Sequence, residues 1–285
     1  MSPEAAAATP ELEVVHGPRA IGGGRRRFVD LLLLTATSNF RKAFFGTALG
    51  YAWSLIRPLL LFGVLLVVFT RILRVGSGIE NYPMFLLFNI VFFSFFQETT
   101  NVATTAVVAQ EGVVRKTQFP RLVIPLSIVL TGLFNLGMNL IAVLAFMLAF
   151  GIEPMWSWLL FPLVLLPVMV ILTTSVSIAL SALYVRRRDV GIIWSVMSMA
   201  LFYGSAVLIP LTYATGIVRD LMLINPLVPL FVQAHKWMID PDAPGLLTVA
   251  DGWWHLLPAA LIFVGVAIWS LWFFNREAPR IAEEL

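Results

Sequence analysis

Two rows of polar side chains interrupt otherwise apolar stretches of this 285-residue sequence. Members of the first row are separated by intervals of three and four residues, which places them on one face of a helix. They are Gln97, Glu98, Asn101, Thr104 and Thr105. The second row repeats every four residues and consists of Ser127, Thr131, Asn135 and Asn139. Because an acid within a membrane is costly, Glu98 should face water or the protein interior.

Together the two rows predict a hydrophilic path between neighbouring helices. The alternative is hydrogen bonding from helix to helix, which uses the same residue types. Nearby aromatic rings would stack on sugar faces in such a path, whereas lipid contact and helix packing are their alternative roles. The path candidates are Trp53, Phe95, Phe96, Gln97, Glu98, Asn101, Thr105, Asn135, Asn139 and Tyr203.

The composition predicts a membrane protein without catalytic residues. Hydrophobic residues make up 59% of the chain and charged residues only 12%, about half the charged share of a soluble domain. Cysteine is absent, which excludes disulfides and thiol chemistry, and the 3 histidines are scattered, so we expect no metal site. The Lys116-Thr117 pair lacks the preceding glycine of a phosphate-binding loop, so ATP hydrolysis would require another chain.

The apolar stretches predict an all-α membrane protein with six transmembrane helices. The spans fall at about 49–73, 84–109, 122–150, 158–185, 191–211 and 256–274. Between the last two, residues 212–254 contain apolar pieces too short to cross, so we expect outer re-entrant helices there. Residues 25–47 predict an amphipathic helix in the inner interface, and residues 1–24 a disordered cytoplasmic tail. Residues 25–285 would then form a single transmembrane domain.

Positive charge determines the predicted orientation. Of the 19 Lys and Arg residues, fourteen fall in segments assigned to the inside, four outside, and Arg57 lies in the first span. This bias favours both termini in the cytoplasm. We therefore expect a multi-pass protein of the cell membrane. No apolar segment follows Met1, so we expect no cleavable signal peptide.

The segment from Gln110 to Pro125 is short, basic and amphipathic, and it lies between the second and third spans. It is too polar to cross the membrane, so we expect a bent surface helix on the cytoplasmic side, broken near Pro120. A surface helix in this position can receive a push from a soluble partner. An ordinary positively charged loop is the alternative.

Four stretches, in this order, resemble the permease subunit of type-2 ABC exporters. The closest resemblance is to the polysaccharide-exporting branch, which includes exporters of O-antigen, teichoic acid and galactan. The stretches are FRKAFFGTALGYAWSLIRPLL (40–60), VVRKTQFPRLVIPLS (113–127), RRRDVG (186–191) and INPLVPL (224–230). Together they indicate a resemblance over about residues 28–274. Arg57 stands where a neutral polar residue is more usual, so its role is open.

The resemblance implies a type-2 ABC exporter permease fold, with two copies of this chain and two copies of a cytoplasmic ATPase that binds ATP and Mg. It implies that the ATPase contacts a coupling segment containing Val113, Val114, Arg115, Lys116, Phe119, Pro120 and Arg121. It also implies a nearby interface helix containing Arg25, Arg26, Arg27, Phe28, Phe40, Arg41 and Lys42. A lipid-linked polysaccharide would pass between the two permease copies. The composition suggests a high-GC source, which makes a galactan the first candidate.

Two other functions stay open at the level of sequence. A permease of the same fold could export a small hydrophobic compound, with the aromatic spans forming its pocket. A membrane glycosyl or acyl transferase acting on lipid-linked sugars is the third possibility. It would need paired acids or a histidine near one interface, and the isolated Glu98 and scattered histidines argue against it.

Overall fold

The computed structural model describes residues 24–44, 50–112 and 120–277, and all regular elements within these ranges are helical. This confirms the predicted all-α fold. The α-helices are α1 (Gly24–Phe44), α2 (Ala52–Val67), α3 (Tyr82–Ala109), α4 (Val123–Ala149), α5 (Leu166–Arg186), α6 (Asp189–Gly204), α7 (Ile217–Ile224), α8 (Val228–Met238), α9 (Leu246–Val249) and α10 (Leu257–Glu277). One π-helical turn, Val68–Ile72, extends α2, and another, Phe161–Leu165, precedes α5. Short 3-10 segments are Gly76–Gly78, Trp156–Leu159, Leu211–Tyr213 and Trp253–Leu256.

Four helical stretches are long and apolar enough to cross a membrane: Ala52–Ile72, Val123–Ala149, Trp156–Arg186 and Trp253–Glu277. They correspond to the predicted first, third, fourth and sixth spans. Helix α3 contains 28 residues, which gives a length of about 42 Å, but its polar row makes it less apolar than the other four. Helix α6 has only 16 residues, or about 24 Å. The number of six spans therefore stays a prediction.

Helix α3 is the centre of the bundle. It packs against α2, α4, α5 and α6, and 19 of its 28 residues are buried. Its first half packs through aromatic rings: the Phe92 centroid lies 5.1 Å from that of Phe161 and 5.6 Å from that of Phe231. Phe93 similarly contacts Phe202 on α6 at 5.3 Å. Such edge-to-face contacts stabilise a packed core beyond the area that they bury.

The predicted fifth span, 191–211, is longer than the helix that the structure contains. Helix α6 ends at Gly204, and residues 205–210 are irregular. Two side chains of α3 stabilise this irregular backbone. The Tyr82 hydroxyl donates to the Leu208 carbonyl at 3.0 Å, and Asn89 Nδ2 donates to the Val207 carbonyl at 3.3 Å. Buried carbonyls need such partners, so the helix can end within an apolar run.

Helices α7 and α8 are joined at an angle of 97°. Asn225 stabilises the break: its Oδ1 accepts from the Leu227 amide at 3.0 Å, and its Nδ2 donates to Ser205 Oγ at 2.8 Å. With 8 and 11 residues, neither helix reaches the roughly 20 residues of a span. The geometry fits the re-entrant arrangement expected for residues 212–254.

The helices run back and forth between two ends of the bundle. We name the first the basic end because it carries Arg121, Arg186, Arg187, Arg188 and Arg276. There, Arg186 Nη1 on α5 lies 3.4 Å from Glu277 Oε1 on α10, and Glu277 is buried. We name the opposite end, formed by residues 205–256, the far end.

Helix α1 begins at Gly24, one residue before the predicted interface segment 25–47, covers most of that segment and packs against α4. The Thr131 hydroxyl donates to the Ala36 carbonyl at 3.1 Å. The Phe40 ring stacks on Tyr51 at 5.3 Å and meets Phe134 edge-on at 5.8 Å. Leu34 on another face is 67% exposed, as expected of a helix with an apolar side turned to lipid.

Helices α3 and α4 are in close contact at Gly132, and we expect Gly132→Ala to destabilise the bundle. A Cβ there would clash with Thr99 Oγ1 and lie 3.2 Å from the Phe95 ring. Overpacking of this kind costs about 1–3 kcal/mol. The measurement is the thermal unfolding midpoint of detergent-solubilised protein, followed by tryptophan fluorescence.

The matched control is Gly137→Ala on the same helix, where a Cβ meets no atom within 4 Å. Because alanine favours helix over glycine by up to about 1 kcal/mol, this variant should be unchanged or slightly more stable. Equal midpoints for the two variants would contradict the close approach of α3 and α4.

Candidate functional site

A cavity of about 310 Å³ lies between α1, α2, α3 and α4. We name it the α1–α4 cavity. Polar residues of its lining are Asn39 and Lys42 on α1, Ser54 on α2, Ser94, Glu98 and Thr99 on α3, and Thr131, Asn135 and Asn139 on α4. Apolar residues that include Pro58, Val91, Phe95, Ile128 and Leu136 complete it. Four helices therefore contribute hydrogen-bonding groups to one space.

The cavity reaches well into the bundle. Glu98 lies 11 residues before Ala109, the last residue of α3, so it is about 16 Å along the helix axis from that end. Asn139 lies 16 residues after Val123, or about 24 Å along α4. These polar groups are therefore placed at depths where lipid offers no hydrogen-bond partners, and the cavity gives them a shared enclosure.

The cavity brings together members of both predicted polar rows. Glu98, Asn135 and Asn139 line it, and so does Phe95. Within the lining, Asn139 Nδ2 donates to the Asn135 carbonyl at 2.8 Å. These positions of the two rows therefore line one cavity, and the hydrophilic path that the rows predict stays a prediction.

Two atoms of the lining are buried without a hydrogen-bond partner: Asn135 Oδ1 and Thr99 Oγ1. Leaving such a group unpaired costs about 1–3 kcal/mol. Our sequence reasoning missed Thr99. Its spacing of four residues from Phe95 was the available signal, because residues four apart share a helix face.

Other predicted path residues face elsewhere. Asn101 Nδ2 donates to Ser198 Oγ on α6 at 3.3 Å, which is the helix-to-helix bonding considered as the alternative. Phe96 is buried in the core, 6.1 Å from the Trp194 ring. Trp53 and Tyr203 are exposed.

The remaining candidates lie outside the cavity lining. Gln97 is half-buried, and its carbonyl accepts the second bond of Asn101 at 2.8 Å. Thr104 bonds within α3, to the Thr100 carbonyl at 2.7 Å. Thr105 is exposed, and its hydroxyl donates to the Val102 carbonyl at 3.4 Å.

Arg57 provides a countercharge to Glu98. Its Nη1 lies 4.0 Å from Glu98 Oε1, and the two side chains are 75% and 49% exposed. Pairing lowers the cost of placing either charge within a membrane span. Pro58, the next residue, is buried and lines the cavity. The structure thereby gives Arg57 a partner that the sequence alone did not identify.

The structure describes only part of the predicted coupling segment. Val113, Val114, Arg115, Lys116 and Phe119 lie outside the described residues. Pro120 and Arg121 are half-buried just before α4.

The interface-helix candidates lie on α1. Arg26, Arg27, Arg41 and Lys42 are exposed, and Phe28 and Phe40 are half-buried. Arg25 belongs to α1, although its side chain is outside the described residues. Of this set, Lys42 is the residue that also lines the α1–α4 cavity.

The fold and the cavity define a multi-pass helical membrane protein. Residues 31–236, more than two-thirds of the chain, match the ABC-2 type transporter family, so the chain belongs to that family. Its fold is that of a type-2 ABC exporter permease. The chain is a permease subunit and is not itself catalytic.

Similar proteins include O-antigen export system permease proteins named RfbA. The one from Myxococcus xanthus is 29% identical over 229 residues, which cover 79% of this chain and 87% of the relative. One from Klebsiella pneumoniae is 28% identical over 261 residues, covering 90% of this chain and 95% of the relative. A second Klebsiella pneumoniae protein is 28% identical over 263 residues, with the same coverage.

The natural absence of cysteine permits a direct test of the α1–α4 cavity. We expect Ser94→Cys, which lines it, to react with a small water-soluble thiosulfonate in native membrane vesicles. Ser177→Cys, at a fully buried position on α5, should react at least about tenfold more slowly because a thiol must meet water and ionise to react. The measurement is the labelling rate by gel shift.

Both substitutions replace a hydroxyl by a thiol of similar size, so they serve as matched variants. Equal slow rates at the two positions would show that the cavity is dry, and the polar path would then have no support from this site.

Proposed function

We propose that this chain is the membrane-spanning subunit of an ATP-driven exporter that moves a lipid-linked polysaccharide outward from the cytoplasm. The observation that carries the proposal is the similarity to O-antigen export permeases over 90% of the chain. That similarity extends beyond the family match at residues 31–236. It favours an O-antigen-like glycan over the galactan suggested by composition alone.

The proposal requires an ATPase on a separate polypeptide, which would bind ATP and Mg. Membership of the ABC-2 type transporter family supports the general expectation of such a partner and of a second copy of this chain. The basic end would then face the cytoplasm, in agreement with the positive-inside rule. Both termini would lie there, and the protein would reside in the cell membrane.

The coupling segment is the proposed contact with the ATPase. Val113, Val114, Arg115, Lys116, Phe119, Pro120 and Arg121 would form it. Support comes from its position in the chain: it connects α3, the central helix, with α4, which contacts α1. A displacement applied between α3 and α4 would therefore act directly on two walls of the α1–α4 cavity.

The comparisons favour neither alternative from the sequence. The similar proteins are named as export permeases, which gives no support to a membrane transferase. Their named cargo is O-antigen, which gives no support to a small hydrophobic compound. Among the aromatic residues of the spans, Phe92, Phe93 and Phe96 are buried in the core.

Deletion of the gene in its source strain tests the proposed cargo. We expect the surface polysaccharide to disappear and its lipid-linked form to accumulate inside, with recovery on complementation. The measurement is immunoblotting or mass analysis of envelope extracts. Unchanged surface glycan, together with lost efflux of hydrophobic dyes, would support the small-molecule alternative instead.

Charge reversal in the coupling segment tests the contact with the ATPase. We expect Arg115→Glu, Lys116→Glu and Arg121→Glu together to reduce export about tenfold or more while membrane insertion and ATP hydrolysis persist. Three reversed charges would replace attraction by repulsion at the contact, and like-charge juxtaposition costs several kcal/mol. Export, membrane level and ATPase activity are measured in one strain.

The control is the triple variant Arg187→Glu, Arg188→Glu and Arg276→Glu, which makes the same change in charge at the same end of the bundle. The Arg188 guanidinium lies 5.1 Å from the centre of the Tyr184 ring, and that of Arg276 lies 5.4 Å from the Trp272 ring. Export by the coupling variant equal to that of the control would exclude the assigned contact.

A further inference from the structure

We propose that the α1–α4 cavity binds a glycosyl phosphate: one sugar residue of the exported glycan together with the phosphate that joins it to its lipid. The inference deepens the proposed function and rests on it. It assigns a recognition site within one copy of the chain, separate from any passage between copies. The cavity offers hydrogen-bonding groups, space and positive charge for such a ligand.

Hydrogen bonding specifies the ligand's chemistry. Asn135 Oδ1 is a buried acceptor without a partner, and Thr99 carries a buried hydroxyl without a partner, on a residue only 3% exposed. The Glu98 carboxylate adds a further acceptor to the same lining. A ligand that both donates and accepts hydrogen bonds, such as a ring bearing several hydroxyl groups, would satisfy these groups. A lipid acyl chain would leave these groups unpaired.

The space and the apolar wall suit one sugar ring. A volume of about 310 Å³ lies at the small end of the range of ligand pockets, about 300–1,000 Å³, which suits a ligand of one sugar ring and one phosphate. Phe95 lines the cavity beside Glu98 and Thr99, and an aromatic ring provides an apolar surface for the C–H face of a sugar. The combination of carboxylate, amide and aromatic ring therefore matches both faces of the ligand.

The charge balance accounts for the phosphate. Arg57 lies 4.0 Å from Glu98 and offsets its charge. Lys42, on the α1 wall of the same cavity, adds a positive charge beyond that pair, with the Asn39 amide in the same lining. A lysine ammonium and an amide N–H form a suitable site for a phosphate group. In a glycosyl phosphate the sugar and the phosphate are joined, so one ligand satisfies both parts of the cavity.

The experiment uses the full chain with its ATPase in nanodiscs and follows labelling of Ser94→Cys. The probes are a polyprenyl diphosphate carrying one N-acetylglucosamine, the same carrier with one galactose, the bare polyprenyl diphosphate, and phosphatidylglycerol. We expect at least one sugar-bearing probe to slow labelling about tenfold and the bare carrier to slow it less than twofold. Thr215→Cys, exposed at the far end, should label equally with every probe.

Two variants test whether the unpaired atoms bind the probe. Asn135→Leu and Thr99→Val should each raise the probe concentration needed for protection about tenfold, whereas Thr99→Ser, which keeps the hydroxyl, should retain it. Labelling without probe must stay unchanged in each variant, which separates lost binding from lost fold.

Two outcomes would overturn the inference. Equal protection by the bare carrier would mean that the cavity takes a lipid phosphate without its sugar. Protection by none of the four probes would mean that it binds no glycosyl phosphate. If surface polysaccharide still depends on the gene, such a result contradicts only the ligand assigned to the cavity. If surface polysaccharide does not depend on the gene, the proposed function is itself contradicted.

Discussion

Hydrocarbon offers no hydrogen-bond partners, so the polar side chains of a membrane helix must find partners within the protein. Helix α3 carries the largest share of this constraint, because an acid, amides and hydroxyls follow its aromatic half. The structure meets it by surrounding α3 with four other helices. On one side the Asn101–Ser198 bond pairs α3 with α6. On the other, Glu98 and Thr99 open into the α1–α4 cavity.

Packing and charge together maintain that cavity. At Gly132 the backbone of α4 comes close to Thr99 and Phe95, while α2 contributes Pro58 and, through Arg57, the countercharge to Glu98. Helix α1 forms the fourth wall through the bond between Thr131 and the Ala36 carbonyl. A helix predicted to lie in the membrane interface therefore also contributes to the polar interior, and the two roles meet at Lys42.

The sequence predicted the helices well because apolar runs and positive flanks are local signals. It also identified Thr131, Asn135 and Asn139, which line the cavity because each step of four residues turns only about 40° around the helix. Members of the α3 row face different neighbours: Glu98 lines the cavity and Asn101 contacts α6. The two residues are about 60° apart around the helix, and only the tertiary arrangement decides which neighbour each one contacts. The predicted fifth span ends at residue 211, seven residues beyond the end of α6 at Gly204. The sequence did not show where this helix ends because the backbone after it is stabilised by Tyr82 and Asn89, more than a hundred positions away.

Those long-range bonds have a mechanical consequence. Asn89 joins α3 to the backbone just after α6, and Asn101 joins α3 to α6 itself, about 18 Å further along the helix axis. Two hydrogen bonds at that separation oppose sliding of α6 along α3, so a displacement of α3 along its axis is passed to α6 at two points rather than one.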